Sequence, residues 1–150
     1  MKKVLIIILL ISTTITAYAF DFSAVCSTGQ TLYYNILTDS TVGVTYPNYY
    51  WRYSEYYYGY SKPVGDLVIP NSILHDNVNY QVVSIENNAF YNCTGIHSLV
   101  IPDSVTSIGE SAFYGCSGID SLYLGSSLTT IPVMLSTAAQ ESTALSFPTA

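Results

Sequence analysis

The fold is decided by the stretch IENNAFYNCTGIHSL at residues 85–99, which returns as IGESAFYGCSGIDSL at residues 108–122. Isoleucine, Ala-Phe-Tyr, cysteine, glycine, isoleucine and Ser-Leu recur at equivalent places, each displaced by the same interval that separates Ile85 from Ile108. This interval, a period of 23, is typical of a solenoid, in which each turn of the chain is one structural unit. The sequence therefore predicts a mainly β chain wound into coils of one period each.

The same register extends to both sides of this pair. Downstream, three further apolar residues recur one period after their counterparts, at Leu124, Leu128 and Ile131. Upstream, LVIP at residues 67–70 matches LVIP at residues 99–102, with a nine-residue insertion near residues 74–81. The repeats are therefore expected to occupy residues 67–132 as about three coils.

Each coil is expected to supply two short extended pieces that bury one face against the neighbouring coil. Stacking then places Phe90 over Phe113 and Leu99 over Leu122. A fully buried Phe or Leu stabilises a fold by roughly 1.5–3 kcal/mol, so these columns should dominate stability. The predicted structural core consists of Ile85, Phe90, Cys93, Leu99, Ile101, Ile108, Phe113, Cys116, Leu122 and Leu124.

The unit IHSLVIPDSVTSIGESAFYGC at residues 96–116, with Ala-Phe-x-x-Cys at 89–93 and again at 112–116, resembles the BspA-like leucine-rich repeat family of Bacteroidetes type. The opening FDFSAVC at residues 20–26 also looks like the start of exported members. The resemblance covers about residues 20–132. It implies a short leucine-rich-repeat solenoid, cell-surface display, adhesion to host proteins or other bacteria, and no catalysis. It implies no particular ligand.

Residues 1–19 have the layout of a secretory signal peptide. Lys2 and Lys3 precede an apolar run, and Ala17-Tyr18-Ala19 is a small-x-small cleavage site. The run is shorter than the roughly 20 residues that span a bilayer. We expect cleavage before Phe20 and a secreted or cell-surface location without membrane insertion afterwards. Acylation of Cys26 as a lipoprotein is the alternative.

Residues 20–66 are expected to form an N-terminal cap that contains a tyrosine-rich loop. Two runs of alternating apolar residues flank the turn Thr38-Asp39-Ser40, at Leu32, Tyr34, Ile36 and at Val42, Val44, Tyr46. This pattern predicts a β-hairpin. A hairpin before the first coil would cover its apolar surface and strand edge, as solenoids require.

The repeat pattern fades at the other end of the chain. The next period should place Ala-Phe at positions 135–136 and cysteine at 139, but Leu135, Ser136 and Ala139 stand there. Residues 133–150 are therefore predicted to be an irregular tail. The chain is then either a truncated form of a longer protein, or its tail covers the last coil.

Charge and motifs exclude several function classes. After signal cleavage only Arg52 and Lys62 remain against ten acidic residues, a formal charge of about −8. Such a chain offers little to a nucleic acid or an anionic lipid surface. The sequence contains no catalytic or phosphate-binding motif, and it predicts no enzyme activity, no cofactor and no metal. His75 and His97 stand alone, as surface residues rather than ligands.

The chain contains three cysteines, Cys26, Cys93 and Cys116. Because the number is odd, at least one thiol would stay free in an exported chain. Cys93 and Cys116 occupy equivalent places in neighbouring coils, where strands stack about 4.8 Å apart. Buried thiols in a ladder are the favoured interpretation, a disulfide is the alternative, and a metal site finds little support without a nearby histidine or CxxC pair.

Two surfaces are candidates for binding. The first is an aromatic block between residues 46 and 60, represented by Tyr49, Tyr50, Trp51, Tyr53, Tyr56, Tyr57 and Tyr58. Exposed Tyr and Trp supply rigid contact area, as in recognition surfaces, and also stack on sugar rings. The opposing interpretation is an ordinary loop with half of its rings packed down.

The second surface consists of the outward positions of the predicted parallel strands: Asp66, Val68, Ser98, Val100, Ser121 and Tyr123. Repeat proteins commonly bind through such faces, although a plain solvated sheet surface remains open. These features predict an adhesin that binds a protein of the host extracellular matrix or of another bacterial surface. One alternative is a non-binding structural cap and first coils of a longer array. Another is a glycan-binding module that uses the tyrosine-rich loop.

Overall fold

Short β-strands separated by turns account for the regular structure of the chain. A computed structural model describes residues 20–48, 55–129 and 144–146, and within these ranges it contains ten strands and no helix. The strands are β1 (Phe22–Val25), β2 (Thr31–Thr38), β3 (Thr41–Thr45), β4 (Gly65–Val68), β5 (Ser72–His75), β6 (Val78–Ile85), β7 (Ile96–Ile101), β8 (Ser107–Ile108), β9 (Ser121–Leu124) and β10 (Ala144–Ser146).

The strands form two sheets. The N-terminal sheet has the order β1-β2-β3-β6-β5, with β8 also paired to β6. The repeat sheet has the order β10-β9-β7-β4. The chain is therefore mainly β, as the sequence predicted. No membrane-spanning helix is found in the described ranges.

In the repeat sheet, parallel strands align equivalent residues of the repeats. Leu67 of β4 pairs in register with Leu99 of β7, which in turn pairs with Leu122 of β9. Leu99 and Leu122 are one period apart, whereas Leu67 and Leu99 are separated by one period and the insertion. Since side chains alternate between the two faces of a strand, this register places all three leucines on one face. All three are buried.

The insertion itself folds as a hairpin. Strands β5 and β6 pair antiparallel, and His75 lies opposite Val78. Asp76 and Asn77 between them have φ angles of 47° and 63°. Two consecutive residues in the left-handed region make a type I′ turn, whose twist matches that of the flanking strands, and Asp and Asn tolerate this conformation. The extra residues thus form a hairpin at the edge of the N-terminal sheet, and Leu67 still pairs with Leu99 in the repeat sheet.

The hairpin predicted for residues 31–46 is present as β2 and β3, which pair antiparallel around Asp39 and Ser40. Its second strand also continues into the repeats. Val44 of β3 pairs in parallel with Ile85 of β6, and Ile85 pairs with Ile108 of β8. The N-terminal segment therefore joins the repeat region through a backbone ladder.

Apolar columns run between neighbouring repeats. The ring of Phe90 lies on the ring of Phe113, with centroids 5.2 Å apart and planes inclined by 14°. All members of the predicted core are buried except Ile108, which is half-buried. Ile108 ends β8, a strand of two residues that pairs with β6.

Polar side chains join equivalent positions of successive repeats to the backbone. The Glu110 amide donates a hydrogen bond of 2.8 Å to Asn87 Oδ1. Asp103 Oδ1 accepts hydrogen bonds from the Ser126 amide, at 2.6 Å, and from the Ser126 hydroxyl, at 2.9 Å. The partners in each pair are one period apart, so these bonds secure the turns that the strand ladders leave unpaired.

One edge of the repeat sheet is covered by a side chain from the N-terminal segment. Among the described strands, β4 pairs with β7 alone, and the carbonyls of Val64 and Asp66 accept hydrogen bonds from the N-terminal segment. Gln30 Nε2 donates hydrogen bonds to both carbonyls, at 2.6 and 3.0 Å. An open edge would expose these acceptors to another chain, so Gln30 blocks pairing at this end.

At the other end, β10 pairs in parallel with β9. Leu145 lies opposite Leu122 and Ser146 opposite Tyr123, and each pair is again one period apart. This strand lies within the segment that the sequence predicted to be irregular. A backbone ladder requires no particular side chain, so pairing can continue after the Ala-Phe-x-x-Cys element has been lost.

Several predictions concern residues outside the described ranges. They include the signal peptide at residues 1–19 and most of the tail at residues 133–150. Four members of the aromatic block also lie there: Tyr49, Tyr50, Trp51 and Tyr53.

Candidate functional site

The outer face of the repeat sheet brings together all six strand residues that the sequence analysis proposed. Asp66, Ser98 and Ser121 are in register across β4, β7 and β9, and they form a polar row. The neighbouring row, also in register, consists of Val68, Val100 and Tyr123. Because the leucines between these positions are buried, both rows lie on the opposite face of the sheet.

This outer face combines hydroxyl groups with apolar contact area. Tyr123 is 36% exposed, Asp66 is exposed, and Val100 is half-buried. Aromatic side chains are enriched in protein interfaces, and a neighbouring polar row supplies hydrogen-bonding groups. The arrangement is suited to contact with another protein surface.

The aromatic block does not form one exposed surface. Tyr57 is 3% exposed, and its hydroxyl donates a hydrogen bond of 2.7 Å to the carbonyl oxygen of Ala89. Burial, with smaller effects from Cys93 and other neighbours, raises the pKa of Tyr57 well above its ordinary value. The prediction that Tyr57 belongs to a binding surface is therefore wrong, because its ring packs into the core between the N-terminal segment and the repeats.

Tyr56 and Tyr58 remain accessible. Tyr58 is 49% exposed, and Tyr56 is half-buried against two other rings. Tyr60, by contrast, packs edge-on against Tyr33 with ring centroids 5.5 Å apart. The block therefore divides between core and surface.

Sequence reasoning missed a row of four tyrosines that links the N-terminal segment to the repeats. Ring centroids are 4.8 Å apart between Tyr46 and Tyr56, 5.0 Å between Tyr56 and Tyr91, and 4.9 Å between Tyr91 and Tyr114. We call these four residues the tyrosine row. The recurrence of tyrosine after Ala-Phe in the repeat was the available signal for Tyr91 and Tyr114. Their contact with the cap required the fold.

The thiols of Cys93 and Cys116 are free and buried. Burial raises the pKa of each thiol to about 12. The Cys116 thiol donates to the carbonyl oxygen of Phe90 at 3.0 Å. Thiolate is the nucleophilic and metal-binding form, so both groups are inert at neutral pH. Among the described residues, no group of three or more His, Cys, Asp or Glu side chains is placed to hold a metal.

A polar groove of about 480 Å³ lies on the N-terminal sheet. Its lining comprises Asn35, Thr45, Tyr46, Ser84, Ile85, Glu86, Asn87, Ser107, Ile108 and Gly109. We call it the Asn35–Glu86 groove. No local pattern pointed to it, because its residues come from several strands and turns that are far apart along the chain.

Comparisons with known proteins find similarity to leucine-rich repeat proteins. The family described as BspA type leucine rich repeat region matches residues 53–149, in six copies. A leucine-rich repeat protein from Bacteroides ovatus has a similar structure, with a TM-score of 0.59 and 24% identity over 78% of this chain and 28% of that chain. No curated protein matches the sequence.

Two further structures are similar. The leucine-rich repeat protein of T. pallidum gives a TM-score of 0.57 and 24% identity over 78% of this chain and 47% of that one. A leucine-rich cell surface protein from Faecalibacterium prausnitzii gives a TM-score of 0.57 and 19% identity, over 85% of this chain and 32% of that one. The chain thus spans less than half of each of the three structures, and the likeness establishes the fold alone.

Proposed function

The chain belongs to the BspA-type leucine-rich repeat family, and from that membership we propose that it is an exported surface protein which binds a protein partner through the outer face of β4, β7 and β9. The family suggests a role in protein interaction at a surface and is generally non-enzymatic.

The observation that carries the proposal is the alignment of the two rows on the repeat sheet. Strand pairing at about 4.8 Å places equivalent residues side by side, so the polar row and the apolar row form one continuous patch. Ser98 and Val100 lie at its centre, on β7. Central, well-packed contacts contribute most to binding energy in protein interfaces. The partner proposed is a protein of the host matrix or of another bacterial surface.

The architecture proposed for this module is a short solenoid, with a period of 23 and an N-terminal cap. The pairings of Leu99 with Leu122 and of Ile85 with Ile108 support the period, since each joins residues one period apart. The hydrogen bonds from Gln30 to the free edge of β4 support the cap. A capped first coil leaves the flat outer face available for contact.

Binding assays test the proposed surface. The purified chain would be passed over immobilised host matrix proteins, and Val100→Lys compared with Leu74→Lys. Both changes place a lysine on a strand, but Leu74 lies on β5, away from the patch and 67% exposed. We expect Val100→Lys to weaken binding by about 1–2 kcal/mol, roughly 5- to 30-fold, and Leu74→Lys to leave it unchanged. Equal binding by both variants would remove the sheet face as the site.

A second candidate is a structural role within a longer array of coils. The coverage of less than half of each related structure favours it, since the cap and first coils need no ligand of their own. Further copies of the repeat encoded downstream of Ala150, together with no binding by the purified chain, would favour this role over adhesion.

A further inference from the structure

The floor of the Asn35–Glu86 groove is a row of residues across four strands. Asn35 on β2 lies opposite Gly43 on β3, Gly43 opposite Ser84 on β6, and Ser84 opposite Ser107 on β8. The register shifts between β3 and β6, so that Gly43 and Ser84 come into line. Such bulges redirect side chains and often lie beside functional sites.

Gly43 makes room for a carboxylate in this floor. A methyl group at Gly43 would lie 2.8 Å from Glu86 Oε1 and 2.6 Å from the Ser84 hydroxyl. The absence of a side chain therefore lets the Glu86 carboxylate and the Ser84 hydroxyl lie over the sheet backbone. The floor is shaped for polar groups rather than for apolar packing.

The Glu86 carboxylate is held by a hydrogen bond, and no ion pair to it is found among the described residues. Its Oε2 atom accepts a hydrogen bond of 2.8 Å from Asn35 Nδ2, and the Glu86 amide donates to the carbonyl oxygen of Val44 at 2.8 Å. Within the described part of the chain, the ion pairs involve Lys62 and His75 and do not include Glu86. Its Oε1 atom lies over Gly43, and the side chain lines the groove.

Several hydrogen-bonding groups around this carboxylate have no partner in the described ranges. The Ser84 and Ser107 hydroxyls each offer a donor and acceptors, and Asn35 keeps one N–H and its carbonyl oxygen. The ring of Tyr46 supplies an apolar part of the wall. The groove therefore presents donors and acceptors side by side, next to an aromatic surface.

This mixture of groups selects the class of ligand. A cation would use the carboxylate and leave the donors idle. An anion would be repelled by Glu86 and by a chain whose formal charge is −6. A neutral polyol ring offers a donor and an acceptor at every hydroxyl, matches the mixed lining, and falls within the size that clefts of about 300–1,000 Å³ accept.

We propose that the Asn35–Glu86 groove is a carbohydrate-binding site for a neutral sugar ring. The site is separate from the outer face of the repeat sheet, so the chain would engage a sugar and a protein through different surfaces. Apart from Tyr46 it uses none of the aromatic block. Glu86 and Asn35 would accept and donate hydrogen bonds to adjacent hydroxyls of the sugar, and Ser84 and Ser107 would position the ring.

A panel of neutral oligosaccharides tests the assignment, with the purified full chain as analyte and a lysine-rich peptide as the cationic comparison. Any sugar that binds would be titrated against Glu86→Gln, which removes the charge and keeps the shape. The matched control is Glu110→Gln, the same change at an exposed residue outside the lining. We expect about a tenfold loss of affinity for Glu86→Gln and no loss for Glu110→Gln.

Ser107→Tyr guards against a folding artefact, because Ser107 is exposed and a larger side chain there fills the groove without entering the core. This variant should abolish sugar binding while its unfolding transition matches that of the unmodified chain. The proposal is overturned if no neutral sugar binds, if only the lysine-rich peptide binds, or if Glu86→Gln and Ser107→Tyr bind sugar as tightly as Glu110→Gln.

Discussion

The ring of Tyr91 lies flat against the ring of Tyr114, with centroids 4.9 Å apart and planes inclined by 16°. The two residues hold the same place in successive repeats, so their contact reports the same stacking as the buried pair Phe90 and Phe113. Tyr114 is 40% exposed. The repeats therefore stack through side chains at the surface as well as in the core. Substitutions can test the surface pair and the core pair separately.

Shortening the leucine column should cause a large loss of stability. Leu99 is fully buried between Leu67 and Leu122. We expect Leu99→Ala to lower the free energy of unfolding by about 2–5 kcal/mol, through lost burial and the cavity that remains. Urea denaturation measures the effect. Leu74→Ala is the matched control at an exposed strand position and should change stability little; a similar loss in both variants would contradict the column.

Removing the hydroxyl of Tyr57 should destabilise the junction between the N-terminal segment and the repeats. Tyr57→Phe leaves the buried carbonyl oxygen of Ala89 without its donor, at a cost of about 1–3 kcal/mol. Thermal and urea unfolding would both detect a change of this size. Tyr114→Phe removes an exposed hydroxyl from the repeat and should be neutral. An unchanged midpoint for Tyr57→Phe would show that the hydrogen bond contributes nothing.

Removing the hydroxyl of Tyr34 should not destabilise the fold, in contrast to the same change at Tyr57. Tyr34 is completely buried, and its hydroxyl has no hydrogen-bond partner among the described residues. Burial, with a smaller effect from Cys26, raises its pKa far above the ordinary value. Because an unpaired buried hydroxyl is unfavourable, Tyr34→Phe should leave stability unchanged or raise it by about 1 kcal/mol. A clear loss of stability would reveal a partner for the hydroxyl.

The Asp103 carboxylate should stabilise the turn between two repeats in a pH-dependent way. Hydrogen bonds from the Ser126 amide and hydroxyl lower its pKa below the ordinary value of 3.8. A group with a depressed pKa contributes stability above its unfolded pKa, and this contribution disappears as the pH falls through the folded pKa. We expect the pKa of Asp103 measured by NMR titration to lie below 3.8 and to move upward in Ser126→Ala. Because Ser126→Ala keeps the backbone amide, which has the larger effect, the pKa in this variant should still lie below 3.8. A pKa of 3.8 or higher in the unmodified chain would contradict the assigned cause.

The thiols of Cys93 and Cys116 should resist alkylation in the folded chain. With a pKa of about 12, roughly one thiol in ten thousand is ionised at pH 8. In a Cys26→Ser background, maleimide labelling followed by mass spectrometry should show no rapid modification until urea unfolds the chain, and two additions afterwards. Fast labelling of the folded chain would contradict the burial. No labelling after unfolding, with a mass two hydrogens lower, would indicate a disulfide.

The difference between prediction and structure follows the distinction between local pattern and long-range contact. The Ala-Phe-Tyr element predicted the Phe90 column because identical side chains recur at a fixed spacing. The same reasoning had no means to decide between Tyr57 and Tyr58, which are adjacent and chemically identical. Tyr57 is buried and donates to the Ala89 carbonyl, whereas Tyr58 is 49% exposed.

The sequence by itself determined the family, the mainly β class, the register of the repeat and the members of the apolar columns. It could do so because stacked repeats require the same side chain at the same place in every turn, and that requirement is written into the chain as a period. The tertiary structure alone decided the division of the tyrosines, the strand at Ala144–Ser146 and the Asn35–Glu86 groove. The tyrosines and the groove depend on contacts between segments that are distant along the chain, and such contacts leave no local pattern in the sequence. The last strand forms by backbone pairing, which requires no particular side chain.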